Sequence, residues 1–490
     1  MTELTPITSA TGLPPLVVDL DGTLTPTDTL IESIISLLKQ SPLYLFKLVL
    51  WLLNGRAAFK RQVAAHSHFT PVHLPWRPAL LAYLREQHAQ NRRLVLATAA
   101  DDSIAQVVAR EIGLFDQVIA SDGLRNLKGK AKLEAIQQAV GPRFVYAGDS
   151  VADLPIWQAA EAAILVGTSD AVRKAVVANG IRIEQEFVQA RATWRVWARA
   201  LRIHQWVKNF LIFVPLLTAF GFGDLGKCIA ALLAFIAFSL AASATYIGND
   251  LWDLDDDRQH PRKKSRPLAS GLLSIPAALG AANLLLVTAF TIAMAVSPAF
   301  AGMLAGYTVL TVLYSWVLKQ YVLVDVIMLA LLYTLRVLAG AVAISVPISP
   351  WLLAFSVFTF FSLALVKRCA ELVTLQHQGK RGSHGRDYQV SDLVVLWPLG
   401  IGASLCSVVV FGLFIGTPAT QARYGNTDAL WLVGIGLIYW FARLWIKTAR
   451  GEMHDDPIVF ALYDFGSRVA ILCMLVTTVA ARYLPSLGVS

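Results

Sequence analysis

The stretch GNDLWDLDDDRQHPRKKSRPLASG, residues 248–271, sets Asp250, Asp253, Asp255, Asp256 and Asp257 directly before Arg258, His260, Arg262, Lys263, Lys264 and Arg266. Long apolar runs flank it on both sides. Asn249, Asp250, Asp253 and Asp257 recur at spacings of three and four, which lines them along one face of a helix continuing out of the preceding run. Carboxylates gathered at the mouth of a membrane helix repel one another unless a cation sits among them. Oxygen-only ligands favour Mg2+, usually shared with substrate phosphates. The basic residues that follow, Arg258, His260, Lys263, Lys264 and Arg266, can then hold phosphate oxygens that the metal leaves uncovered. The alternative is an ordinary charged loop, but charge of both signs at a span end predicts a Mg2+–diphosphate site.

The rest of the chain gives that site its setting. A hydrophobic share of 56% with 15% charged residues is too apolar for a soluble enzyme of 490 residues. Apolar stretches of membrane-helix length repeat from Val207 onward. They predict nine spans, near 207–223, 227–248, 272–296, 298–318, 321–346, 350–366, 392–415, 428–446 and 467–485. Joins rich in Lys and Arg (258–266, 367–386, 447–450) alternate with joins nearly free of them. The positive-inside rule therefore puts the rich joins and the N-terminal domain in the cytoplasm and the C-terminus outside. The net charge of +9 reads as topology plus attraction to anionic lipid and phosphate, not as a nucleic-acid surface. No secretory signal is expected ahead of the first domain. Cys228, Cys369, Cys406 and Cys473 are scattered without metal-ligand spacing and read as structural.

Residues 1–190 mix charged and apolar residues as a globular domain does. LPPLVVDLDGTLTPTD (13–28) runs an apolar strand into a turn carrying Asp19 and Asp21. RRLVLATAADD (92–102) and RFVYAGDSVADLPIW (143–157) are further strands ending in polar residues, with the lysine-rich helix start NLKGKAKLEAI (126–136) between them. Strand–helix alternation predicts an α/β doubly wound parallel sheet whose ligands sit at the carboxyl ends of its strands. The motifs DLDGT, Thr98, a lysine and GDSVAD, taken in order, resemble the haloacid dehalogenase-like (HAD) phosphatases over residues 13–180. The resemblance implies Asp19 as nucleophile and Asp21 as acid and then base. It also implies Thr98 on the phosphoryl oxygens and Mg2+ among Asp19, Asp21, Asp149 and Asp153. Lys132 fits the lysine role, with Lys128 and Lys130 as alternatives. Residues 24–90 are expected to form a helical cap whose apolar run SPLYLFKLVLWLLNG (41–55) suits either a buried cap helix or an interfacial segment. Residues 181–206, where Phe187, Trp194, Trp197, Leu201 and Trp206 alternate with Arg191, Arg195, Arg199 and Arg202, are expected to be an amphipathic linker.

The span-end motif itself resembles the UbiA superfamily of intramembrane transferases, an all-α polytopic fold that here would cover residues 207–490. Members commonly carry a second acidic motif in a later join; here Asp325 has Leu329, not an acid, four residues on. QWVKN, YSWVLK, VDVIMLALLYTLRVLAG, KRCAEL and DDPIVFALYDFGSR resemble the decaprenyl-phosphate phosphoribosyltransferase branch. That resemblance implies transfer from 5-phosphoribosyl diphosphate to a polyprenyl phosphate lipid, in the cytoplasmic membrane of a bacterium. Mg2+ would lie on Asn249, Asp250, Asp253 and Asp257. Lys208, Arg258, Lys264, Arg266, Lys319, Lys367 and Arg368 are the candidate phosphate ligands. Tyr314, Asp325 and Arg336 would position the ribose, and Glu371, Asp464 and Arg468 would support them. The rival readings are a prenyltransferase with an aromatic acceptor and a non-catalytic multi-span carrier.

Overall fold

Strand β1 (Leu16–Val18) is buried at every residue, as a central parallel strand with helices on both faces must be. In the computed structural model, which describes residues 12–189, 192–382, 386–453 and 456–483, β1 pairs with β2 (Leu94–Asp101) and β4 (Val145–Gly148). With β3 (Gln117–Ser121), β5 (Ala162–Val166) and β6 (Ile183–Phe187) they form a parallel sheet in the order β3-β2-β1-β4-β5-β6. The predicted doubly wound fold is present, and strand β6 takes up the start of what the sequence presents as a linker.

Helices α1 (Thr29–Gln40), α2 (Tyr44–Leu52) and α3 (Arg56–His66) follow β1 and share a small core of Leu37, Leu48 and Val63. The expected cap is therefore helical. Helix α4 (Pro78–Ala89) belongs instead to the sheet, because Leu80 and Leu84 join Leu16, Val18, Leu94 and Leu96 in its core. Helices α5 (Asp102–Ile112), α6 (Lys130–Val140), α7 (Leu154–Ala159) and α8 (Asp170–Ala178) alternate with the remaining strands.

Helix α9 (Trp194–Ala200) occupies the linker; Arg191 lies outside the described residues. Among the described residues eight helices are long and apolar enough to cross a membrane. They are α11 (Leu225–Trp252), α13 (Ile275–Val296), α14 (Pro298–Trp316), α15 (Val324–Ala343), α16 (Pro350–His377), α17 (Leu393–Ile415), α19 (Leu430–Ala449) and α21 (Phe465–Tyr483). The short helices α12 (Leu254–Gln259), α18 (Pro418–Arg423) and α20 (Pro457–Tyr463) lie in joins.

The first of the nine expected spans takes a different form. Residues 203–218 fold as a 3-10 helix, Ile203–Phe213, followed by α10 (Val214–Thr218). Lys208 and Asn209 are buried polar residues there, and Pro215 cannot donate to a helical ladder. The Ile212 backbone also presses against α15 at Gly340, where an added Cβ would lie 2.1 Å from the Ile212 carbonyl oxygen. The described chain packs as two units, residues up to Leu201 with Tyr246–Ala281, and Arg202–Thr245 with residues from Ala282 onward. The charged stretch at 248–271 thus packs with the α/β domain.

Candidate active sites

Asp19 follows β1, Thr98 lies in β2 and Asp149 follows β4, so the sheet order collects all three at its carboxyl edge. Carboxylate oxygens of Asp19, Asp149 and Asp153 lie within 4.8 Å of one another. Their approach depends on Gly22, whose φ is +78° and whose Cβ, if present, would meet Asp149 Oδ2 at 2.2 Å. Asp19 Oδ1 accepts from the Leu20 backbone N–H at 2.8 Å, and Lys132 Nζ stands 2.9 Å from Oδ2. Lys132 is buried, whereas Lys128 and Lys130 are exposed. Thr98 is fully buried and its Oγ1 accepts from the Ala100 N–H.

Burial, reinforced by Asp153 and Asp19, pushes Asp149 up to about 7. Burial also raises Asp19, with Lys132 opposing it. Burial works against the charge on Lys132, but Asp19 and Asp153 outweigh it and its pKa rises. Desolvated carboxylates in excess over one lysine are the donor set that a hard divalent cation balances, so these residues fit Mg2+. The Asp21 carboxylate lies outside the trio; its Oδ1 accepts from the Thr29 N–H at 2.8 Å. Burial, then Asp28, lifts it to about 7, which suits proton transfer near neutral pH. Of the two roles expected of Asp21, this position suits proton transfer.

Three residues here carried no sequence signal. Tyr146 in β4 accepts from Lys132 Nζ at 3.1 Å and donates to Asp153 Oδ1 at 3.0 Å, joining the lysine to the carboxylate trio. Lys60 of α3 donates to the Ala99 carbonyl at 2.6 Å and to Asn126 Oδ1 at 2.9 Å. Arg77 donates to the Gly22 carbonyl at 2.8 Å. Tyr146 reads as one more apolar strand residue, and the two cations sit in unremarkable surroundings.

In the 248–271 stretch, the Asp253 N–H donates to the Asn249 carbonyl and the Asp257 N–H to the Asp253 carbonyl. The helical ladder therefore passes from α11 into α12 and stacks Asn249, Asp253 and Asp257, as their spacing predicts. Asp250 and Asp257 are buried, and both accept from Arg266 Nη1, at 3.2 and 2.5 Å. Lys263 stands 3.6 Å from Asp257 Oδ1, a buried oxygen with no hydrogen-bond partner. These carboxylates are not drawn as close as the Asp19 trio, the one group of that kind among the described residues. The orphaned oxygen and the all-oxygen donor set fit a divalent cation. Arg258, expected on phosphate, is instead committed: its Nη2 and Nη1 donate to the two Glu32 carboxylate oxygens at 2.6 and 3.2 Å. Lys264 is exposed.

The second unit buries its own charges. Asp325 accepts from Tyr314 Oη at 2.7 Å and Arg368 Nη2 at 2.5 Å. Arg368 also pairs with Glu371, which Arg386 reaches at 3.1 Å. Arg336 donates to Asn209, Tyr307 and the Leu332 carbonyl. Asp456, which spacing did not single out, gathers Lys208 at 2.8 Å, Lys367 at 3.5 Å and the Tyr333 hydroxyl at 3.0 Å. Asp464 pairs with Arg443, and Lys319 is half-buried in the 3-10 turn Leu318–Gln320.

Comparison with known proteins agrees with this division. The UbiA prenyltransferase family profile matches residues 210–467, and the haloacid dehalogenase-like hydrolase profile matches residues 16–158. A Sinorhizobium fredii chain, Uncharacterized protein y4nM, is 38% identical over 455 residues, 92% of this chain and 87% of that one. Decaprenyl-phosphate phosphoribosyltransferase of Mycolicibacterium smegmatis is 33% identical over 294 residues, 58% of this chain and 92% of that one. The solved structure of a UbiA homolog from Archaeoglobus fulgidus bound to GPP and Mg2+ aligns with TM-score 0.43 and 17% identity, covering 59% of this chain and 100% of that one.

Proposed function

The chain belongs to the UbiA prenyltransferase family, and from that premise we propose that it is a bifunctional membrane enzyme of lipid-linked ribose synthesis. Its membrane domain transfers 5-phosphoribose from 5-phosphoribosyl diphosphate to polyprenyl phosphate. Its HAD-like domain then removes the 5-phosphate to give polyprenylphosphoryl ribose. Both sites work on the cytoplasmic side of a bacterial inner membrane.

The observation that carries the choice of substrate is the state of Asp325. Its carboxylate is already taken by Arg368 and Tyr314, and Leu329 stands where a second acid would share a further metal. One metal-binding acidic stretch suits a single diphosphate leaving group, and the polyprenyl chain is then free to be the acceptor. The resemblance to decaprenyl-phosphate phosphoribosyltransferases supports the same choice.

In the transfer, the bond between ribose C1 and the diphosphate oxygen breaks, and a lipid phosphate oxygen attacks C1 from the opposite face. A phosphate monoester has its second pKa at about 6, so the acceptor is ionised at neutral pH and needs no general base. Asn249, Asp250, Asp253 and Asp257 are the residues that would hold Mg2+, with Arg266 and Lys263 beside them. In the phosphatase, Asp19 attacks phosphorus while Lys132 offsets the charge of the approaching groups. Asp21 protonates the departing ribose oxygen and then takes a proton from the water that releases phosphate. Bound Mg2+ in each site neutralises phosphoryl charge.

The test uses Asp19→Asn, which keeps shape and removes the attacking charge. Membranes carrying it, given 5-phosphoribosyl diphosphate, polyprenyl phosphate and Mg2+, should accumulate lipid-linked ribose 5-phosphate. The unaltered protein should yield mainly the dephosphorylated lipid, one phosphate lighter by mass spectrometry. If the purified unaltered protein leaves the 5-phosphate in place, the phosphatase has another substrate and this reading fails.

A further inference from the structure

Helix α2 is apolar on both sides. Tyr44, Leu48 and Trp51, at i, i+4 and i+7, turn inward against Leu37 and Val63. Leu45, Phe46, Val49, Leu50, Leu52 and Leu53 face outward, exposed by 56% to 78%. Lys47 is the single charge on the helix, exposed and held over the Tyr44 ring at 4.9 Å. An outward apolar face this continuous on a water-bathed cap would cost free energy, and such patches mark interaction surfaces.

We propose that α2 is an interfacial anchor whose outward face seats in the headgroup region of the bilayer that this chain crosses. Its nine residues are too few to span, and exposed Lys47, Arg56 and Arg61 complement anionic headgroups. The preceding helix fixes where α2 can lie. In α1, Lys39 pairs with Asp255 at 2.9 Å and Glu32 with Arg258 at 2.6 Å. Asp255 is three residues beyond Trp252, the end of the membrane-length helix α11. Helix α2 begins five residues after Lys39, a reach of at most roughly 18 Å of extended chain. The cap is therefore tethered beside the point where α11 ends, and the apolar face has a bilayer within reach. The anchor also bears on the phosphatase, since the α1 N-terminus holds Asp21 through the Thr29 N–H and α3 carries Lys60.

The experiment places an environment-sensitive fluorophore at Phe46→Cys or Val49→Cys in the full-length protein, with Cys228, Cys406 and Cys473 replaced by Ser. Val177→Cys, exposed on α8, serves as the control outside the cap. The protein is reconstituted into vesicles of phosphatidylethanolamine and phosphatidylglycerol with or without brominated acyl chains. Brominated lipid should quench both α2 positions and leave the Val177→Cys label unchanged. Quenching no greater at α2 than at the control would overturn the proposal. So would unquenched α2 labels combined with cross-linking of the unlabelled α2 cysteines between two copies, which would make the face a protein interface. The readout does not depend on which phosphate ester the domain hydrolyses, so it stands apart from the proposed reaction.

Discussion

Gly22 shows how much a single position controls. It is the one residue of the DLDGT turn whose side chain must be absent, because a Cβ would stand 2.2 Å from Asp149 Oδ2 and its φ of +78° is left-handed. Gly22→Ala should therefore displace Asp149 from the trio and cut phosphatase turnover roughly 100-fold, the scale of a 1 Å misplacement. On the proposed reaction, transfer of ribose 5-phosphate to lipid should persist, and both are read from one product analysis. Loss of both together would show that the variant has unfolded the domain. The residues of this site that the sequence reveals are those whose chemistry fixes their spacing from a strand end: Asp19, Thr98, Asp149 and Asp153. Lys132 could be narrowed only to three lysines, because its selection depends on which side of α6 faces the sheet. Tyr146 was invisible for the opposite reason, since burial in a strand and bonding to Lys132 and Asp153 leave the same letter in the chain.

At the scale of elements, hydropathy located the eight long helices, seven of them within a few residues, whereas α16 runs on to His377, eleven residues past its expected end; the first segment takes another form. Apolar content there is that of a span; what breaks the helix is tertiary. Asn209 is spent on Ser239 and Arg336, and the backbone at Ile212 closes on Gly340. Gly340→Ala should force these two backbones apart and destabilise the membrane domain by about 1–3 kcal/mol, the usual cost of overpacking. A lowered thermal midpoint of the purified protein, against an unshifted Gly306→Ala control where a Cβ meets nothing within 4 Å, would show it; equal midpoints would remove the close approach from the account. Arg258 makes the same point about charged elements. Its place in a run of cations suggests phosphate, yet its partner Glu32 lies in α1, more than 200 residues earlier, and no local pattern encodes so distant a pairing.

Across the whole molecule, connectivity decides what helix length leaves open. The α/β domain is ion-paired to the stretch just beyond α11, through Glu32–Arg258 and Lys39–Asp255, so both lie on one side of the bilayer. Helix α11 has 28 residues, about 42 Å at 1.5 Å each, more than the roughly 30 Å of hydrocarbon. Its beginning at Leu225 is then expected on the far side, with a crossing between Leu201 and Leu225. The 3-10 helix and α10, at about 2.0 and 1.5 Å per residue, together reach roughly 30 Å when laid end to end. This predicts that residues 203–218 serve as a crossing although they are not a membrane-length α-helix, and that nine crossings separate the α/β domain from Tyr483. In a background with Cys228, Cys406 and Cys473 replaced by Ser, Phe222→Cys and Tyr483→Cys should react with a membrane-impermeant maleimide in intact spheroplasts. Lys264→Cys, in the basic join, should react only after permeabilisation. Labelling of Phe222→Cys only after permeabilisation, with Lys264→Cys reacting in intact spheroplasts, would mean that residues 203–218 turn back without crossing. The parity of every later span would then invert, bringing Tyr483 to the side of the phosphatase.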